Sequence, residues 1–83
     1  MVCFLKKYEE RLNVIGILIK EYRTKLKLSK NEVSRRLQLH AVDLDRTEIN
    51  RIETGRRSVK DFELIALWKV LEIDSEELKN LIE

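Results

Sequence analysis

The 83-residue chain predicts an all-α fold, a compact five-helix bundle with a helical N-terminal extension, on three observations. Apolar residues recur three and four apart, the period of one helix face, and no stretch alternates as a half-buried strand does. Proline is absent and glycine occurs twice, so little in the composition interrupts helices. Polar caps followed three residues later by an acid recur just ahead of apolar runs and mark helix starts.

Taken in order, residues 1–13 form the extension and residues 14–83 the domain. Leu5, Tyr8, Leu12, Ile15, Ile19, Tyr22 and Leu26 make one unbroken apolar stripe. A single helix from about residue 4 to 26 fits it. So does a short helix that breaks at Asn13, which with Leu12 and Ile17 supplies a cap and staple. The stripe itself reads as core packing, with a dimer seam as the alternative. Helices are expected at 14–26, 30–37, 46–54, 59–71 and 75–82. Four of these starts carry a capping box: Ser29 with Glu32, Asp45 with Glu48, Ser58 with Asp61, and Asp74 with Glu77. In all but the Ser58 set, an apolar pair flanks the box and staples the entry. Only Gly55 marks a helix end, as the left-handed residue closing 46–54.

Composition narrows the function classes. One cysteine and one histidine offer no disulfide framework, no zinc cluster and no nucleophile–base set, and no glycine-rich phosphate loop occurs. We therefore expect no enzyme, cofactor or metal. The longest apolar run, "VIGILI", is too short to span a bilayer, and the N-terminus lacks the order of a signal peptide. A soluble, unprocessed, cytoplasmic chain is expected, without an effector domain after residue 83. Net charge is only +2, but residues 1–60 hold 15 Lys and Arg against 8 Asp and Glu, giving +7, while residues 61–83 hold 2 against 7, giving −5. Such asymmetry suits a cationic face turned toward phosphates and an acidic end turned away.

The stretch "LDRTEINRIETG", residues 44–55, sharpens this. On a helical wheel Ile49 and Ile52 share one side, with Thr47, Asn50, Arg51 and Thr54 roughly opposite. Amide, hydroxyl and guanidinium groups on an outer face suit the reading of base edges. Asn50 is a poor mid-helix residue, which makes its position informative.

"IGILIKEYRTKLKLSKNEVSRRL", "EINRIETGRR" and "LWKVLEIDSEEL" together resemble the Cro and phage-repressor type helix-turn-helix domain, the xenobiotic response element family, over residues 15–78. The resemblance implies a five-helix bundle whose third helix lies in the DNA major groove. Position by position it implies base reading by Arg46, Thr47, Asn50 and Arg51. Phosphate contacts fall to Lys30, Thr54, Arg56 and Arg57, although Arg56 and Arg57 also suit the negative end of a helix dipole. Arg23 and Glu53 match positions that pair between the first and third helices, a structural role. Two features depart from the family pattern. "QLHAVDL", residues 38–44, is longer than the usual turn, which leaves open whether the third helix keeps its approach and whether His40 adds a contact or is a solvated loop residue. Trp68 stands where a small residue is usual, either buried with a partner for its N–H or partly exposed at a subunit contact. The expected function is sequence-specific binding of double-stranded DNA as a transcriptional regulator, a repressor-like homodimer. The alternative is an antitoxin-like or adaptor module whose partner is a protein.

Overall fold

The computed structural model describes residues 10–81, in which α1 (Gly16–Lys25), α2 (Lys30–Gln38), α3 (Arg46–Glu53), α4 (Asp61–Leu71) and α5 (Ser75–Lys79) form the five-helix bundle. Among the described residues there is no strand. Most of the proposed N-terminal extension, including Leu5 and Tyr8 of the stripe, lies outside them.

The core takes Ile15, Leu18, Ile19 and Tyr22 from α1 and its approach, and Val33 and Leu37 from α2. Ile49 and Ile52 of α3 and Ala66, Leu67, Val70 and Leu71 of α4 meet them. The first two helices each pack on both α3 and α4. The apolar stripe therefore is core from 15 to 22, but it ends there: Leu12 is 65% exposed and Leu26 42%. Residues 10–13, expected to be helical, are not. The N-cap of α1 is Ile15, which has no side-chain cap bond; Asn13 Oδ1 accepts the Gly16 amide at 2.7 Å from two residues further out, and with Leu12 exposed the staple is not made.

The capping boxes turn out unequal. Ser29 and Glu32 close reciprocally, at 3.1 and 3.4 Å. Asp45 accepts the Glu48 amide at 2.8 Å, yet the Glu48 carboxylate goes to Arg57 instead of back to the cap. Asp74 accepts from the Glu76 amide, and Glu77 takes the Tyr22 hydroxyl, which itself accepts the Asp74 amide at 3.1 Å. The expected Ser58 box does not form. The fourth helix starts at Asp61, and its cap amide, Lys60 N–H, donates to Glu63 at 3.0 Å. In the Asp45 and Asp74 sets the acid is taken by a residue of another part of the chain, Arg57 for Glu48 and Tyr22 for Glu77.

The helix ends share one device that composition conceals. After α1 the Leu28 amide donates to Arg23 O and the Lys27 amide to Thr24 O; after α2 the Val42 amide donates to Leu37 O and Ala41 to Gln38 O. Arg56 to Arg51 with Gly55 to Ile52, and Ile73 to Trp68 with Glu72 to Lys69, repeat it after α3 and α4. Each is a Schellman closure around a left-handed residue: Lys27, Ala41, Gly55 and Glu72, at φ of 58°, 60°, 79° and 53°. The residue that follows is buried and apolar in three of them, Leu28, Val42 and Ile73, so each closure also plugs the core. This explains the long 38–44 segment. Its first half ends α2, and Val42 and Leu44 pack inward, so only a short link remains before the Asp45 cap.

Ala41 pays for its left-handed backbone where glycine would not. Ala41→Gly is expected to raise unfolding stability by about 0.5–1 kcal/mol, measured by urea denaturation at neutral pH; a loss of stability would contradict the closure described.

Candidate nucleic-acid interface

Helix α3 divides as its sequence predicts. Ile49, Ile52 and Glu53 are buried, and Arg46, Thr47, Asn50, Arg51 and Thr54 are exposed. Lys30, the first residue of α2, joins Arg46, Thr47 and Asn50 in lining one shallow cleft between the two helix starts. Among the described residues no ion pair engages Lys30, Arg46, Arg51 or Arg56. Four cations and two neutral hydrogen-bonding side chains are therefore offered on the α3 side without a competing carboxylate contact. The Thr54 hydroxyl donates back to Asn50 O at 2.9 Å, which leaves its exposed oxygen able to accept a hydrogen bond.

The closure after α3 differs from the other three in one respect. Its last position is the exposed Arg56, whose amide reaches Arg51 O at 2.8 Å, instead of a buried apolar residue. The motif thereby sets the backbones of Arg51 and Arg56 side by side at one helix end.

Arg57 departs from the expectation that grouped it with Arg56. Its Nε lies 2.7 Å from Glu48 Oε1, and its two terminal nitrogens take both oxygens of Glu63 at 2.8 and 3.1 Å. Two carboxylates neutralise this guanidinium before any phosphate approaches, so its side chain is a tie between α3 and α4. The Arg57 hydrogen bond is the main reason the buried Glu63 carboxyl titrates below the usual carboxylate range, and the same bond raises Arg57.

Arg23 and Glu53 pair as expected. The guanidinium grips the carboxylate at 2.6 and 3.1 Å while Nη1 donates to Leu28 O at 3.0 Å, so one side chain joins α1, the turn after it and α3. Glu53 is almost fully enclosed, with 3% of its side chain exposed. Trp68 donates its indole N–H to Ile73 O at 2.7 Å while 37% of the residue stays exposed, so the large ring is accommodated at the surface. His40 is exposed in the loop.

Sequence reasoning missed Arg11. Its Nη2 donates to Glu53 O at 3.1 Å and Ile52 O at 3.4 Å, carbonyls at the open end of α3, and Nε holds Asn13 O at 3.1 Å. The Leu12 amide donates to Gly55 O, and Asn13 Nδ2 reaches Ile52 O and Arg57 O at 3.0 and 2.7 Å. Residues 11–13 thus form a strap across the C-terminal end of α3, where a cation also meets the negative pole of the helix dipole. The seat is tight: a Cβ on Gly16 would come within 2.1 Å of Ile52 O. Contacts across some forty residues leave no local signature.

A helix-turn-helix family model matches residues 19–78, a span that holds α2, α3 and α4 whole and all but the first residues of α1 and the last of α5, and leaves out the strap. Neither a curated protein nor a solved structure matches the chain.

Two outcomes test this geometry. Because Glu63 is depressed in the fold, its contribution is present above the unfolded carboxylate value of about 4.3 and is lost as pH falls through the lower folded value. Glu63→Gln is therefore expected to be less stable than the parent at pH 7, with the gap closing as pH falls below about 4; an equal gap at pH 7 and pH 3 would count against the ion pair. Arg11→Ala is expected to speed amide exchange at Gly55 and Arg56 while core amides such as Leu67 keep their protection; uniform acceleration would mean the strap is not local to α3.

Proposed function

Because the chain belongs to the helix-turn-helix family, we propose that it binds double-stranded DNA sequence-specifically and regulates transcription, with α3 entering the major groove. The carrying observation is the exposed face of α3, where Arg46, Thr47 and Asn50 share a cleft with Lys30, Arg51 is exposed, and no carboxylate among the described residues pairs with these cations. In this reading Asn50 and Arg51 read base edges, as amides pair with adenine and guanidinium groups with guanine, each for about 1–3 kcal/mol of discrimination. Arg46 and Thr47, at the start of the helix, reach the flanking bases.

Phosphates are held on either side of this helix. Lys30 stands at the N-terminus of α2, where free amides and the dipole also favour an anion. Arg56, with the Thr54 hydroxyl, takes the phosphate at the far end of α3. Arg57 supports that end from inside through Glu48 and Glu63. A homodimer acting on two half-sites related by a twofold axis fits a domain with so short a recognition helix. No described helix is long and apolar enough to cross a membrane, and a cytoplasmic regulator fits the reading.

The test is binding to random and selected duplexes across a salt series. Affinity is expected to fall with a log–log slope of about −0.9 per phosphate contacted. Lys30→Ala should weaken binding to all duplexes alike and flatten the slope by about one contact, whereas Arg51→Ala should cost about 1–3 kcal/mol on the selected sequence and relax one position of the consensus. Failure to bind any duplex at low salt would overturn the reading in favour of an adaptor whose partner is a protein.

A further inference from the structure

The outer side of α4 stands apart from the rest of the surface. Phe62 is 53% exposed, Ile65 49% and Trp68 37%, each three residues from the next, so they form one apolar ridge along an eleven-residue helix. Exposed Asp61 and Lys69 flank the ridge, and neither has an ion-pair partner among the described residues. Beside it a groove between the α2–α3 loop and α4 runs past His40 and Ala41, with Val42 and Ala66 in its floor.

The order of these residues along the helix reads the same from both ends. Counting outward from Ile65, three residues away on either side stand the aromatic residues Phe62 and Trp68, and four residues away the opposite charges Asp61 and Lys69. A twofold axis through Ile65 turns that pattern into a self-complementary surface, because antiparallel helices set equal offsets opposite each other. Ile65 then meets its own copy. Phe62 faces the partner's Trp68, and Asp61 faces the partner's Lys69, so each pair forms twice. An isologous contact requires such matching of one patch to itself.

We propose that this face of α4 is where two copies of the chain pair, with the helices antiparallel about Ile65. Each Trp68 ring packs beside the other copy's Phe62, at the mouth of the groove that Phe62 borders, as aromatic anchors do at the centre of an interface. Its indole N–H is already given to Ile73 O, so the ring is covered without stranding a donor. The proposal names the face of the homodimer suggested above and rests on that part of the reading, but it makes no use of DNA.

Sedimentation equilibrium of the full chain without DNA tests it, with circular dichroism confirming that each variant folds. The parent is expected to pass from monomer to dimer with rising concentration. Ile65→Asp, at a half-exposed position, should leave a folded monomer. Asp61→Lys and Lys69→Asp should each self-associate at least several-fold more weakly than the parent, and an equal mixture of the two should recover a dimer, since opposite charges again face each other across the axis. A parent that stays monomeric up to about millimolar concentration overturns the proposal, as does a dimer that Ile65→Asp leaves intact. Charge variants that pair as well alone as when mixed overturn the antiparallel register. A parent that dimerises in this way and ignores DNA supports the α4 face while refuting DNA recognition.

Discussion

An eight-residue helix cannot hold itself in water, because too few internal hydrogen bonds offset the cost of nucleating it. Helix α3 is that short, and its exposed side contributes little burial, so its order depends on what surrounds it. Ile49 and Ile52 anchor its inner side in the core. Asp45 caps its start, and its C-terminal carbonyls are received by Arg11, by the Leu12 amide and by Asn13. Three ion pairs complete the mounting: Arg23 with Glu53 joins α3 to α1, and Arg57 joins Glu48 of α3 to Glu63 of α4. Every charged group on the inward side of α3 is thereby paired, which leaves the unpaired cations on the outward side.

That division is a consequence of where charge can be neutralised. Glu53 and Glu63 are buried, and a buried carboxylate without a partner is costly, so each draws in the nearest guanidinium. Arg23 and Arg57 are consumed in this way. Among the described residues no carboxylate pairs with Lys30, Arg46, Arg51 or Arg56. The four helix closures follow the same economy of construction. Three of them push an apolar residue into the core, and the fourth, after α3, turns outward with Arg56.

Much of this was legible beforehand. The five helices, the inward pair Ile49 and Ile52, the outward face of α3 and the Arg23–Glu53 pair all follow from periodicity or from the family resemblance carried by "EINRIETG". Less legible were the helix ends, since only one of four left-handed positions is glycine; Lys27, Ala41 and Glu72 adopt that conformation because the following Leu28, Val42 and Ile73 are pulled inward. The sequence reads the capping acids Glu48 and Glu77 as local partners, yet each serves a residue brought close by tertiary packing. Arg57 followed the family expectation as a phosphate contact until the positions of Glu48 and Glu63 claimed it.

By itself the sequence determined which faces are apolar and where helices start, because periodicity and caps act between residues at most four apart. Only the tertiary structure decided which cations stay available and what holds α3 in place. Charge pairing and the capping of open carbonyls depend on distance in space, and residues 11 and 53, or 57 and 63, carry no mark of their meeting until the core brings them together.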